Sequence, residues 1–127
     1  MAKILVCDDN PLFLKVMSGS LKDMGFGVQC YEKSDDFIAE LTQQFYDIAI
    51  IDMIMPHGGG VQLTHRTKAA SPDTKIVVCT GQAELLSSPI MEVGMRSADA
   101  KISKDIDPGE LQILLEDLIS PAASAET

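Results

Sequence analysis

Short apolar runs recur along the chain between longer stretches of helical spacing. Ile4 to Cys7, Val28 to Tyr31, Ile48 to Ile51, Ile76 to Cys79 and a weaker run near Lys101 to Ser103 predict five strands. The runs Ile48-Ala49-Ile50-Ile51 and Ile76-Val77-Val78-Cys79 are apolar without alternation. That pattern belongs to central parallel strands covered on both faces by helices. Strands alternating with helical segments define an α/β fold.

The helical segments carry their own start and stop signals. From Pro11 to about Met24, Leu12, Val16, Leu21 and Met24 fall near helical spacing, with Asn10 as N-cap and Pro11 at the first helical position. Gly25 and Gly27 close this helix and turn the chain into the second strand. Ser34 is placed to cap a helix carrying Phe37, Ile38 and Leu41, and a further helix runs from about Gly60 to Ala70. The last begins at Asp107, has Pro108 in its first turn, and carries Leu111, Leu114, Leu115 and Leu118. Between the fourth and fifth strands, Ser87-Ser88-Pro89 interrupts the pattern, giving either a short helix capped by Ser88 or a kinked one. Residues 1–120 are expected to form one domain, and 121–127, with no large apolar residue, a flexible tail or linker remnant.

Charge narrows the function classes. With 19 acidic against 10 basic residues and a formal net charge of −9, the overall field opposes direct binding to nucleic acid or anionic membranes. No stretch has the apolar length of a membrane span, and two aspartates follow Cys7 where a signal peptide would continue, so a cytoplasmic location is expected. Cys7, Cys30 and Cys79 are odd in number, lack CxxC spacing and lie in or beside strand-like runs, which reads as reduced thiols in the core. His57 and His65 are far from any cysteine, so no zinc site is expected. His57, beside three glycines, reads as part of a surface loop.

Ligands of open parallel sheets bind beyond the carboxyl ends of the strands. Asp8 and Asp9 follow the first strand, Asp52 the third, Thr80 the fourth and Lys104 the fifth, while Glu32 follows the second, which is expected at an edge. Three converging carboxylates repel one another unless a cation joins them. An all-oxygen donor set favours Mg²⁺ over softer metals. A carboxylate with an ordinary pKa near ~4 is ionised at neutral pH, so Asp52 could attack phosphorus without a general base. A metal, an ammonium and a hydroxyl can neutralise the oxygens of a transferring phosphoryl group.

Taken together, Ile4-Leu5-Val6-Cys7-Asp8-Asp9-Asn10-Pro11, Asp52-Met53-Ile54-Met55-Pro56 with Gly60, then Thr80 and Ser103-Lys104 resemble the receiver domain of a two-component response regulator. The resemblance covers nearly the whole chain. It implies a flavodoxin-like (βα)5 sandwich with a parallel sheet of order 2-1-3-4-5. It implies Asp52 as phosphoacceptor and Mg²⁺ held by Asp52, directly by Asp9, partly through water by Asp8, and by the backbone carbonyl of Ile54. Thr80 and Lys104 would bind the phosphoryl oxygens. The donor would be a phosphohistidine on a histidine kinase or phosphotransfer protein, with slow self-catalysed hydrolysis resetting the switch. Output would pass through protein contacts, including a homodimer formed on phosphorylation. Ile54 and Gln82 occupy the positions that tune hydrolysis in the family, and Ile54 offers no polar group to orient water.

Two positions depart from the family pattern. Lys101 stands where an aromatic residue usually switches inward, and Asp105 replaces the proline that usually follows the lysine. Both bear on the surface that transmits the signal, where Ile90, Met91 and Val93 read as core contacts of the helix before the fifth strand. A binding module that signals without phosphorylation is therefore the alternative. A phosphohydrolase using the first-strand aspartate would want a second aspartate at Asn10, and a flavin phosphate would be repelled by Asp8 and Asp9.

Overall fold

The computed structural model describes residues 1–55, 59–82, 89 and 96–120. Its strands are β1 (Lys3–Cys7), β2 (Gly27–Tyr31), β3 (Ile48–Asp52), β4 (Lys75–Thr80) and β5 (Ala100–Ser103). Its helices are α1 (Pro11–Asp23), α2 (Ser34–Gln43), α3 (Gly60–Ala70) and α4 (Pro108–Ile119). The strands form one sheet in the order β2-β1-β3-β4-β5, and every neighbouring pair is parallel. Both the α/β class and the 2-1-3-4-5 order are as expected, with β2 at an edge.

Successive side chains of a strand point to opposite faces. Ile4, Val6, Ile48, Ile50, Val77 and Cys79 therefore join Leu14, Met17 and Leu21 of α1 and Leu111 and Leu115 of α4 in one apolar layer. Leu5, Cys7, Ala49, Ile51, Ile76 and Val78 join Phe37 and Leu41 of α2 and Leu63 of α3 in the other. All five residues of β3 are buried, which is why its sequence shows no alternation. Each fully buried Ile or Leu contributes roughly 1.5–3 kcal/mol.

Helix α1 faces the sheet differently from the expectation. Leu12 and Val16 are 68% and 60% exposed, and the buried stripe is Leu14, Met17 and Leu21. Leu12 and Val16 each lie two residues from Leu14, about 200° around the helix, so they point away from the core that Leu14 enters. The ends of α1 are as expected. The Asn10 side chain accepts from the Leu12 and Phe13 N–H groups, and Gly25 closes the helix at φ 97°, a conformation costly for any residue with a β-carbon. In α2 the capping position is Lys33, which makes no side-chain cap, and Ser34 is already helical. Asp107 caps α4 through the Gly109 and Glu110 N–H groups, with Pro108 first in the helix.

The amino ends of the strands are stitched by two aspartates. Asp47 accepts from the Lys3 N–H through its side chain at 2.8 Å, donates its own N–H to Lys3 O, and accepts from the Lys75 N–H at its carbonyl. Asp99 binds Ile76 in both directions, each at 2.8 Å. Beside them the Thr74 hydroxyl donates to Tyr46 O at 2.7 Å.

The three thiols are free, with Cys7 and Cys79 buried and Cys30 half-buried. No helix among the described residues is long and apolar enough to cross a membrane. The irregularity at Ser87-Ser88, the contacts of Ile90, Met91 and Val93, the His57 loop and the 121–127 tail lie outside the described residues. Pro89 itself is helical and exposed.

Candidate functional site

The carboxyl ends of β1 and β3 lie side by side where the strand order reverses, so residues following them meet by topology. One oxygen each from Asp8, Asp9 and Asp52 falls in a group whose members lie within 4.8 Å of one another. Asp8 and Asp52 are buried, and Asp9 is exposed. Among the described residues this is the only cluster of acidic, histidine or cysteine side chains suited to a cation.

Local backbone structure fixes each carboxylate. Asp8 Oδ1 accepts from the Asn10 N–H at 2.9 Å, and Asn10 Oδ1 accepts from the N–H groups of Leu12 at 3.0 Å and Phe13 at 3.3 Å. Two side-chain turns in series thus run from the end of β1 into the first turn of α1. Asp52 Oδ1 accepts from the Ile54 N–H at 3.3 Å, while the Met53 N–H bonds to Cys79 O of β4 at 2.8 Å. The chain then folds back through a bond from the Gly60 N–H to Met53 O at 2.9 Å. Gly59 sits in that return, where a β-carbon would lie 3.2 Å from Met53 O. Only glycine fits there without displacing the backbone.

Lys104 arrives from the far side of the sheet. Its N–H donates to Thr80 O at 2.8 Å, extending the pairing of β5 with β4, and its ammonium lies 2.7 Å from Asp8 Oδ2 and 3.7 Å from Asp52 Oδ2. The same ammonium sits 4.5 Å from the centre of the Phe13 ring. Asp8 Oδ2 meets Lys104 as a charge pair without an aligned hydrogen bond, and it is otherwise a buried oxygen without a partner. Thr80 is buried, and its hydroxyl accepts from the Gln82 N–H at 3.0 Å. Ile54 is 48% exposed beside Asp52, and Lys101 lies on β5 in register with Val78, half-buried.

Electrostatics follow from this packing. Burial and then the Asp8 charge push the Asp52 carboxyl up to about 6, against smaller opposing effects from Lys104 and the Ile54 N–H. The ordinary pKa expected from sequence is therefore corrected: the fold crowds Asp52 among other carboxylates away from water, although it stays largely ionised at neutral pH. Burial pulls the Lys104 ammonium down, but Asp8 in contact and the charge of Asp52 outweigh it and leave the group raised. The two buried thiols nearby are pushed up to about 12, chiefly by burial.

The donor set suits a hard divalent cation. It is all oxygen, holds more negative charge than one ammonium neutralises, and includes the buried Asp8 Oδ2, which has no hydrogen bond beyond its charge pair with Lys104. All the strand-end residues singled out from sequence lie at this end of the sheet. Phe13 was missed, because a ring beside an N-cap carries no signal until the fold brings Lys104 across it.

Residues 4–116 match the family model for the response regulator receiver domain. The transcriptional regulatory protein RprY of Bacteroides fragilis is 25% identical over 117 residues, covering 92% of this chain and 49% of the relative. The chain thus spans about half the length of that relative. Among solved structures, a CheY-like receiver domain protein from Methanospirillum hungatei superposes with a TM-score of 0.88 at 22% identity, covering 98% of each chain. The response regulator TrrA of Thermotoga maritima, solved in complex with Mg(2+)-BeF, gives 0.82 at 24% identity, covering 93% of this chain and 99% of its own. At these identities the structural likeness speaks for the fold.

Proposed function

The chain belongs to the response regulator receiver domain family, and from that membership we propose that it accepts a phosphoryl group on Asp52 in a Mg²⁺-dependent reaction. The observation that carries the proposal is the meeting of Asp8, Asp9 and Asp52 with the Lys104 ammonium at one end of the sheet.

Asp8, Asp9 and Asp52 would hold the metal, with the Ile54 carbonyl as a further ligand. The metal, when bound, supplies charge neutralisation at the carboxylates and at the phosphoryl oxygens. One Asp52 oxygen attacks phosphorus in line as the bond to the donor's histidine nitrogen breaks. The electron pair leaves on that nitrogen, and the imidazole takes up a proton from solvent to end as neutral histidine. Lys104 pairs with a phosphoryl oxygen, and the Thr80 hydroxyl, released from the Gln82 N–H, donates to another. The donor class is a phosphohistidine on a histidine kinase or phosphotransfer protein in the cytoplasm, and output runs through protein contacts. Ile54 presents no polar atom to align water, so the acyl phosphate is expected to be long-lived. A half-life of seconds at neutral pH counts against this.

Incubation with acetyl phosphate and Mg²⁺, followed by intact-mass measurement, is expected to give one labile phosphoryl adduct, absent in Asp52→Asn. No adduct, even with a kinase present, favours a module that binds partners without phosphorylation, a reading that half-buried Lys101 on β5 supports. Turnover of a phosphate ester without an adduct points to a hydrolase.

A further inference from the structure

We propose that Phe13 is a positioning residue for Lys104, its ring face holding the ammonium at the site independently of the carboxylates. This inference rests on the phosphoacceptor reading for its catalytic consequence and on geometry alone for the contact.

Three groups surround the ammonium: Asp8 at 2.7 Å, Asp52 at 3.7 Å and the Phe13 ring centre at 4.5 Å. The two carboxylates are the same groups that a divalent cation would claim. A cation drawing on Asp8 and Asp52 weakens their hold on Lys104 just when the lysine must meet an incoming phosphoryl oxygen. The ring does not take part in that competition, because its attraction for the ammonium comes from the quadrupole of its face.

The ring is anchored on the same short segment as Asp8. The Asp8 carboxylate holds the Asn10 N–H, and the Asn10 side chain holds the Phe13 N–H, so the carboxylate and the Phe13 main chain are tied together within six residues. The Lys104 backbone is tied to Thr80 O at the end of the neighbouring β4. The lysine stem also runs beside Gly81, where an added β-carbon would sit 3.7 Å from Lys104 Cδ. Lys104 therefore lies in a slot between the α1 ring and the end of β4, with its side chain 24% exposed. A flexible four-carbon stem gains most from such guidance, since free rotation would otherwise place its charge elsewhere.

The test compares Phe13→Leu, which keeps apolar bulk without a ring face, with Phe13→Tyr, which keeps the face. In metal-free wild type, NMR is expected to show the Lys104 ε-methylene protons shifted upfield by the ring, a shift kept in Phe13→Tyr and lost in Phe13→Leu. At saturating Mg²⁺, Phe13→Leu is expected to slow phosphorylation by acetyl phosphate by about three- to thirtyfold, the range a face-on cation contact allows. Phe13→Tyr restores the rate. In a Lys104→Ala background, Phe13→Leu is expected to cost nothing further. An unshifted lysine resonance in wild type overturns the contact. A rate unchanged in Phe13→Leu, or lowered equally with and without Lys104, overturns the positioning role. A wild-type chain that keeps the shifted resonance but takes no phosphoryl group overturns the phosphoacceptor reading, and the catalytic consequence with it, while the contact stands.

Discussion

Replacing Asp52 by asparagine is expected to make the metal-free fold more stable at neutral pH while abolishing phosphoryl acceptance. The substituted amide would keep an oxygen for the Ile54 N–H and remove one of three clustered negative charges. The Asp52 carboxyl rises from 3.8 to about 6 in the fold, chiefly through burial and then the Asp8 charge. A folded pKa above the unfolded one means that the native state holds the proton more tightly. Stability from this group is then full below about pH 4 and is lost as pH climbs through about 6. A rise of that size corresponds to about 3 kcal/mol. The advantage of Asp52→Asn should therefore be small at pH 4 and grow to about 3 kcal/mol at pH 7.5. The chain contains no tryptophan, so urea unfolding is best followed by far-ultraviolet circular dichroism, in EDTA. Millimolar Mg²⁺ should narrow the gap at pH 7.5, since only wild type retains the full ligand set. An equal difference between the two proteins at both pH values, or a variant less stable than wild type at pH 7.5 in EDTA, would refute the reasoning.

Three further outcomes are expected. The Thr67 hydroxyl is buried in α3 without a hydrogen-bond partner, so Thr67→Val should raise stability by about 1 kcal/mol in a urea titration. Asn10→Ala removes the cap of α1 and the link toward Phe13, and should cost about 0.5–2 kcal/mol in the same assay. Cys7 and Cys79 are buried with pKa values pushed up to about 12, so at pH 8 a thiol reagent should label half-buried Cys30 first, as peptide mapping would show.

Much of the fold was legible because β3 and β4 are buried on both faces. An uninterrupted apolar run such as Ile48 to Ile51 is too short for a buried helix and too uniformly apolar for a strand with one wet face. Helix faces were harder to read. In α1, Leu12 and Val16 make as regular a stripe as Leu14, Met17 and Leu21, and only the sheet decides which turns inward. In α3 the buried residues include Gly60, Thr64 and Thr67, so apolar spacing marks its inner face weakly. The placement of Asp8, Asp9, Asp52, Thr80 and Lys104 at one end of the sheet was legible because parallel strands deliver their carboxyl ends to one place. Distances were not. The approach of Lys104 to Asp8 and Phe13, and the burial that raises Asp52, depend on how far apart the finished layers sit.

The stitching of Asp47 and Asp99 at the amino ends of the strands has a consequence for how such a domain can be altered. Those bonds lock strand register at the end of the sheet opposite the acidic cluster. One pole thus acts as a fixed chassis and the other as an exchangeable instrument. A protein engineer rebuilding the segments that follow β1, β3, β4 and β5 would therefore leave the aspartate-stitched end untouched, where these bonds still align β1 with β3, β3 with β4 and β4 with β5.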